Sequence, residues 1–222
     1  MRSMSYPKLV LFDLDGVILD TEVMYMNLML KYNKKNNLKM SKEFYINNLL
    51  GKTKNTISPI LKELWKDKYD EVTYWKGLLE YRSEYIKSNK IKVKHGFNDL
   101  YKCLKDSGCY VGLVTSNSIE LIRKLFSKSN LSETMFDIII TREDVKSTKP
   151  SSEPYELAVA KMNIDKEYVV AIEDSSIGIE AAINAGISVF NVKDISIVDD
   201  KLKSKCLLAD VTLNKISKLF KI

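Results

Sequence analysis

Val10-Leu11-Phe12-Asp13-Leu14-Asp15-Gly16-Val17 decides how the rest of the chain is read. An apolar run delivers two carboxylates, two residues apart, at the point where the run ends in glycine. Lys8 to Phe12 is short, apolar and bounded by Pro7, so it predicts a buried strand. In an open α/β sheet, ligands bind beyond the carboxyl ends of the strands, and Asp13 and Asp15 stand at such an end. Side chains at i and i+2 of an extended chain point the same way, and Gly16 permits a sharp turn directly after them. Carboxylates directed at one spot repel each other unless a cation or a shared proton holds them. The pattern points to hard oxygen ligands for a magnesium ion, with one carboxylate left to react. A strand followed by an Asp-rich turn is the alternative this stretch leaves open by itself.

Three later segments repeat the theme. Tyr110-Val111-Gly112-Leu113-Val114-Thr115-Ser116-Asn117 is a second apolar strand, ending in hydroxyls and an amide. Thr115, Ser116 and Asn117 can donate hydrogen bonds to phosphoryl oxygens; equally, the cluster reads as a helix start, with Ser118 capping a helix from Ile119 to Ser127. Thr148-Lys149-Pro150 opens a helix near Ser152 to Met162. The proline restricts the backbone of Lys149, which can place its ammonium against a phosphate or a carboxylate, although most lysines of so lysine-rich a chain are solvated surface. Tyr168-Val169-Val170-Ala171-Ile172-Glu173-Asp174-Ser175 is a further buried strand ending in a carboxylate pair, and Ser175 or Ser176 starts a helix from Ile177 to Ala185 that Gly186 stops.

Asp-x-Asp, then Thr, then Lys, then Glu-Asp: in this order and spacing the chain resembles the haloacid dehalogenase superfamily of phosphohydrolases, over essentially residues 8 to 192. Phe12-Asp13-Leu14-Asp15-Gly16-Val17-Ile18-Leu19-Asp20-Thr21-Glu22 is close to the opening signature of the branch that holds β-phosphoglucomutase and many small sugar-phosphate phosphatases. The resemblance implies roles. Asp13 matches a nucleophile that becomes a transient aspartyl-phosphate. Asp15 matches the general acid/base. Thr115 matches the hydroxyl that binds the transferring phosphoryl group, beside Ser116 and Asn117, and Lys149 matches the lysine that neutralises its charge. Asp174 matches the magnesium ligand, with Asp13 and the Asp15 carbonyl beside it and Glu173 acting directly or through water. The chemistry agrees, because a phosphate monoester dianion repels an incoming carboxylate, and magnesium with Lys149 offsets that repulsion.

Between the first two segments, about Glu22 to Asn89, the chain changes character. Leu28, Leu30, Tyr32, Leu49, Leu50, Ile57, Ile60, Leu61, Leu64, Leu78, Leu79, Tyr81 and Tyr85 recur at helical spacing and predict a four-helix bundle. The resemblance makes this a helical cap over residues 21–90, inserted into a Rossmann-like parallel-sheet core formed by residues 1–20 and 91–222, with hinges near Asp20 to Glu22 and Asn89 to Gly96. Leu50-Gly51-Lys52-Thr53-Lys54 is then the cap loop, with Lys52 and Lys54 as substrate contacts or as solvated lysines beside a turn. It is not a P-loop, since Ile46 stands where that motif needs its first glycine. Expected core strands lie near 8–13, 109–115, 136–141, 168–173 and 186–191, with a last helix near Leu213 to Leu219.

The chain departs from β-phosphoglucomutase in the cap. Tyr25 stands where the mutase has a histidine, and Lys54 and Lys87 are the nearest counterparts of its cap arginine and lysine, which are not equivalent as phosphate clamps. The only histidine, His95, falls at the second hinge or on the surface. These departures favour hydrolysis of a small-metabolite phosphate monoester, a sugar phosphate or a nucleotide-related phosphate, over the alternative, a β-phosphoglucomutase-type phosphosugar mutase.

The net charge of +6 raises a third reading, a polyanion-binding protein without catalysis. Only four residues are arginine (Arg2, Arg82, Arg123, Arg142), the lysines are scattered, and no aromatic-basic RNA motif or zinc spacing is present, so no nucleic-acid partner is expected. Cys103, Cys109 and Cys206 are odd in number and widely spaced, which suggests reduced thiols in a cytoplasmic protein. No long apolar span is present, so no membrane partner is expected. Met1 to Ser5 reads as an unstructured start in which Met4 can be the native initiator, and a monomer is the expectation for a capped enzyme of this size.

Overall fold

The computed structural model describes residues 6–220, so the expectation for Met1 to Ser5 lies outside the described residues. Among the described residues six strands form one sheet: β1 (Leu9–Phe12), β2 (Tyr110–Val114), β3 (Ile138–Ile140), β4 (Val169–Glu173), β5 (Ser188–Val192) and β6 (Leu208–Val211). Their order is β3-β2-β1-β4-β5-β6 and every pairing is parallel. β1 lies between β2 and β4, with Phe12 level with Leu113 on one side and Ile172 on the other.

Both faces of a parallel sheet must be covered, which is why its strands read as unbroken apolar runs. Val10, Phe12, Leu113 and Ile172 pack toward α5 (Phe97–Asp106), α6 (Ile119–Phe126) and α10 (Leu213–Leu219). Leu9, Leu11, Ile140 and Ala171 pack toward α7 (Glu153–Met162) and α8 (Ser176–Asn184). The alternation along β1 sends successive side chains to opposite faces. A short α9 (Asp200–Lys203) precedes β6.

The five expected strands are present. β6 is the one the sequence did not announce: Leu208-Ala209-Asp210-Val211 has no apolar run, Asp210 sits at φ 52, and the pairing with β5 is irregular between Phe190 and Val192. An edge strand this short draws its place from its neighbour rather than from its own pattern.

Between β1 and α5 lie four α-helices, α1 (Thr21–Lys35), α2 (Lys42–Asn48), α3 (Lys54–Trp65) and α4 (Glu71–Ser88), and no strand of the sheet. They share a core of Met26, Met29, Leu49, Ile57, Leu61, Trp65 and Tyr74, in which the Tyr74 hydroxyl donates to buried Asn33 at 2.8 Å. Leu64 and Leu79, expected in that core, lie at the surface (38% and 52% exposed), because Leu61 with Trp65 and Tyr74 with Leu78 already fill the inward faces of α3 and α4. The two connections to the sheet run side by side: Leu19 bridges Val93, the Asp20 amide donates to the Lys92 carbonyl at 2.9 Å, and Lys94 donates to Ile18 at 2.8 Å. Exposed His95 meets Asn214 at 3.1 Å next to this pair of connections, and the three cysteines are free. Among the described residues no helix is long and apolar enough to cross a membrane.

Two glycines bring backbone against the carboxyl edge of the sheet. Gly16 turns the chain at φ +75, and a Cβ there would overlap the Asp174 and Asp194 carboxylates. Gly178, in the first turn of α8, lies so close to the Glu173 carboxylate that a methyl group would collide with it. Gly178→Ala is therefore expected to destabilise the fold by about 1–3 kcal/mol through overpacking, seen as a lower urea midpoint. An unchanged midpoint would mean that α8 backs away freely.

Candidate active site

The carboxyl ends of β1, β2 and β4 converge on one cavity of about 320 Å³. Asp13 follows β1, Thr115 follows β2, Asp174 follows β4, and Lys149 comes from the loop before α7; all line the cavity, as do Asp15, Ser116 and Asn117. Residues widely separated in sequence meet because adjacent parallel strands end at the same edge.

Lys149 is the centre of the arrangement. Its side chain is 3% exposed, and an ammonium has three protons to donate. It donates to Asp13 Oδ1 at 2.6 Å, to the Val114 carbonyl at 2.8 Å and to Glu173 Oε1 at 2.5 Å. Burial alone would lower its pKa; the charges of Asp13 and Glu173 more than reverse this, so the lysine is held charged. The Tyr155 hydroxyl donates to the same Glu173 oxygen at 2.5 Å.

Asp15 is held separately. Its carboxylate accepts from the Thr21 hydroxyl and from Asn117 Nδ2, the latter at 2.6 Å. Burial, and after it the charge of Asp13, pushes its pKa up to about 6. Thr115 is buried, its amide donating to the Ile140 carbonyl at 3.0 Å, and its hydroxyl accepts from the Asn117 amide at 3.2 Å. Ser118 and Ser175 cap α6 and α8, as the sequence suggested.

Asp13, Glu173 and Asp174 each offer an oxygen within 4.8 Å of the other two. Burial, then Asp13 and Glu173, raises Asp174 well above the usual carboxylate range, and burial raises Glu173 even against the pull of Lys149. Glu173 Oε2 is buried without a hydrogen-bond partner. An all-oxygen donor set with surplus negative charge and an unsatisfied oxygen fits a hard divalent cation such as magnesium. Ser196 donates to Asp174 Oδ2 at 3.1 Å from the loop after β5.

The helical insert closes the other side of the cavity with Glu22, Tyr25, Tyr45, Leu49, Gly51, Lys52, Thr53 and Ile57. Lys52 thus reaches the cavity rim. Lys54 does not line it: as the first residue of α3 it turns back onto α4, 3.8 Å from Glu71 and 5.8 Å from the Trp75 ring centre. Lys87, at the end of α4, pairs with Glu84 at 4.0 Å. Sequence reasoning missed Glu22, Tyr45 and Arg82. Burial, then Asp15, raises the Glu22 pKa to about 8, and the Arg82 guanidinium lies 5.4 Å from the centre of the Tyr25 ring. The helical period from Thr21 was the available signal, since Glu22 and Tyr25 are three residues apart and share a face. Missed too was Lys94, which pairs with Asp194 at 2.5 Å and ties one connection of the insert to the loop after β5.

Residues 10–192 match the haloacid dehalogenase-like hydrolase family, and the chain belongs to it. It is 29% identical over 182 residues to the phosphorylated carbohydrates phosphatase of Thermotoga maritima, covering 80% of this chain and 81% of that one. It is 25% identical over 221 residues to the phosphoglycolate phosphatase of Aquifex aeolicus, covering 97% and 96%. The crystal structure of CbbY from Rhodobacter sphaeroides in complex with phosphate superposes with a TM-score of 0.77 at 19% identity, over 95% of this chain and 96% of that one, which is a likeness of fold.

The raised carboxyls bear on stability. Asp15 (about 6) and Glu22 (about 8) hold protons more tightly folded than unfolded. Their contribution is fully present below the unfolded pKa of about 4 and is lost as the pH rises through the folded values. The Glu173 and Asp174 carboxyls of the acidic trio are raised in the same direction, and magnesium competes with their protons. Its addition is expected to raise the melting temperature by about 5–10 °C at pH 8 when present at a hundred times its dissociation constant, and much less at pH 5. A shift equal at both pH values, or none, in a thermal melt against chelator would count against the acidic trio as a cation site.

Proposed function

We propose that the protein is a magnesium-dependent phosphatase that hydrolyses a small phosphorylated metabolite through an aspartyl-phosphate on Asp13. The observation that carries this reading is Lys149, buried and charged, bonded at once to Asp13 and Glu173 at the edge of an acidic cluster. A carboxylate attacking a phosphate dianion needs that charge offset, and membership of the hydrolase family supports the same chemistry.

Asp13 is the proposed nucleophile, with one oxygen fixed by Lys149 and the other free to attack. Asp15, held by Thr21 and Asn117 with its pKa near 6, is placed to give a proton to the leaving oxygen and later to take one from water. Thr115, Ser116 and Asn117 offer donors to the phosphoryl oxygens, and Lys52 offers a cation at the rim. Asp13, Asp174 and, directly or through water, Glu173 would hold magnesium with the Asp15 carbonyl; when bound, the ion neutralises phosphoryl charge. Residues 21–90 act as a cap on a core of residues 1–20 and 91–222, excluding water from the site. We read the protein as a cytoplasmic monomer acting on free metabolites.

The test is phosphate release from a panel of phosphate monoesters with magnesium. Asp13→Asn is expected to reduce release to the level seen with chelator while leaving the melting temperature at or above that of the parent, because a repulsive charge is removed. Retained hydrolysis in Asp13→Asn would sink the nucleophile. Asp15→Asn is expected to lower turnover by about 10²–10⁴-fold, the usual worth of acid-base catalysis; a normal rate would remove Asp15 from that role.

A further inference from the structure

We propose that Tyr25 and Glu22 form a leaving-group subsite that selects a neutral, hydroxyl-bearing alcohol, so that the substrate is a sugar or polyol phosphate rather than a phosphorylated acid or pyrophosphate. This rests on the phosphatase reading above and deepens it.

The cavity has two unlike halves. On the sheet side stand Asp13, Thr115, Ser116, Lys149, Asp174 and Ser175, the groups suited to a phosphoryl group. On the helical side stand Glu22, Tyr25 and Tyr45 with apolar Leu49 and Ile57. The Tyr25 hydroxyl is buried and has no hydrogen-bond partner. A phenol both donates and accepts, and leaving it unpaired away from water is unfavourable. No neighbour bonds this hydroxyl: Arg82 lies over the ring rather than at the oxygen, and the Asp15 carboxylate accepts from Thr21 and Asn117 instead. A hydroxyl on the bound molecule satisfies it.

The acids around Glu22 decide the charge of that molecule. Its carboxyl lines the same half, and its charged neighbours are Asp15, Asp194 and Asp13 with one cation, Lys94. A carboxylate or a second phosphate on the leaving group meets the negative charge of those acids, whereas a hydroxyl can exchange hydrogen bonds with the Glu22 carboxyl. Lys52, the cap lysine that lines the cavity, is exposed and serves the mouth rather than this inner wall. Leu49, Ile57 and the Tyr45 ring give the carbon face of a sugar something apolar to rest on. A volume of about 320 Å³ suits one small sugar or open-chain polyol together with its phosphate.

The experiment measures kcat/KM with magnesium for sugar and polyol phosphates, for phosphoglycolate, for pyrophosphate and for p-nitrophenyl phosphate. The parent protein is expected to favour a sugar or polyol phosphate over phosphoglycolate and pyrophosphate by tenfold or more, roughly the worth of one buried hydrogen bond plus one unfavourable charge. Tyr25→Phe is expected to lose about tenfold more on that sugar or polyol phosphate than on p-nitrophenyl phosphate, mostly in KM. Its melting temperature should rise by about 2–4 °C, because an unpaired buried hydroxyl is gone. A parent that prefers phosphoglycolate or pyrophosphate overturns the subsite, as does a Tyr25→Phe loss that is equal on sugar and aryl esters. Release from any probe that vanishes in Asp13→Asn keeps the phosphatase reading standing in either event; no Asp13-dependent release from any probe overturns both.

Discussion

The bond set of one lysine governs this molecule. Folding brings Asp13, Glu173 and Asp174 to within 4.8 Å of one another at the end of a buried sheet, with Asp15 next to them. Such a gathering is unfavourable, since charged carboxylates in a poorly solvated place repel one another and lose hydration. Lys149 answers with all three of its protons. The third goes to the Val114 carbonyl, at the end of β2, so the charge balance is anchored to the sheet and not only to other side chains. Tyr155 fixes the Glu173 oxygen from α7, and the bare Gly178 lets α8 close down on the same carboxylate. Architecture and chemistry are thus joined at one nitrogen: the parallel strand order brings the acids together, and the lysine makes their meeting tolerable.

The compensation is incomplete, and that incompleteness locates function. Native proteins pair nearly all their buried polar atoms. Among the described residues, four buried side-chain atoms are left unpaired, and three of them, Tyr25 Oη, Glu173 Oε2 and Asp194 Oδ2, belong to residues in or next to the cavity. One points to a group with spare positive charge, another to a group with hydroxyls. Elsewhere, buried Asn33 is satisfied through the Tyr74 hydroxyl, whereas the Tyr69 hydroxyl, in the core of the helical insert, is unpaired and away from the cavity. Unpaired atoms thus concentrate at the cavity without being confined to it.

The sequence was most legible where one segment carried both structure and chemistry. Val10 to Asp15 displays the strand, its end and its two acids within six residues, because β1 is central and buried on both faces. Thr115 and Asp174 could be found because each ends a similar apolar run, and Lys149, which stands before Pro150 among many lysines, because the family resemblance singled it out. What remained hidden depended on distance. β6 has no apolar pattern and borrows its place from β5. Lys54 and Lys52 look equivalent in a lysine-rich chain, yet two residues at the start of α3 send one to Glu71 and the other to the cavity rim. The Lys94–Asp194 pair joins residues a hundred positions apart, and neither lies in a run that marks it. Leu64 and Leu79 show the opposite error, in which an apolar residue at helical spacing falls on the solvent side of a thin bundle.

The two connections between sheet and helices explain how these halves can work as one site. Leu19 and Val93 pair as neighbouring strands would, so the insert is held by a two-chain ribbon and not by one flexible tether. Lys94 lies between Asp20 on that ribbon and Asp194 in the loop after β5, at 4.0 and 2.5 Å. The same loop supplies Ser196 to Asp174. The position of the insert is therefore coupled through charge to the residues around the acidic trio. A ligand that draws Glu22 and Tyr25 toward Asp15 pulls on a helix whose root is bonded to that ribbon. On the proposed function, such coupling would let binding energy from the leaving group align the groups assigned to the phosphoryl group, in the way contacts remote from the reacting atoms contribute to rate.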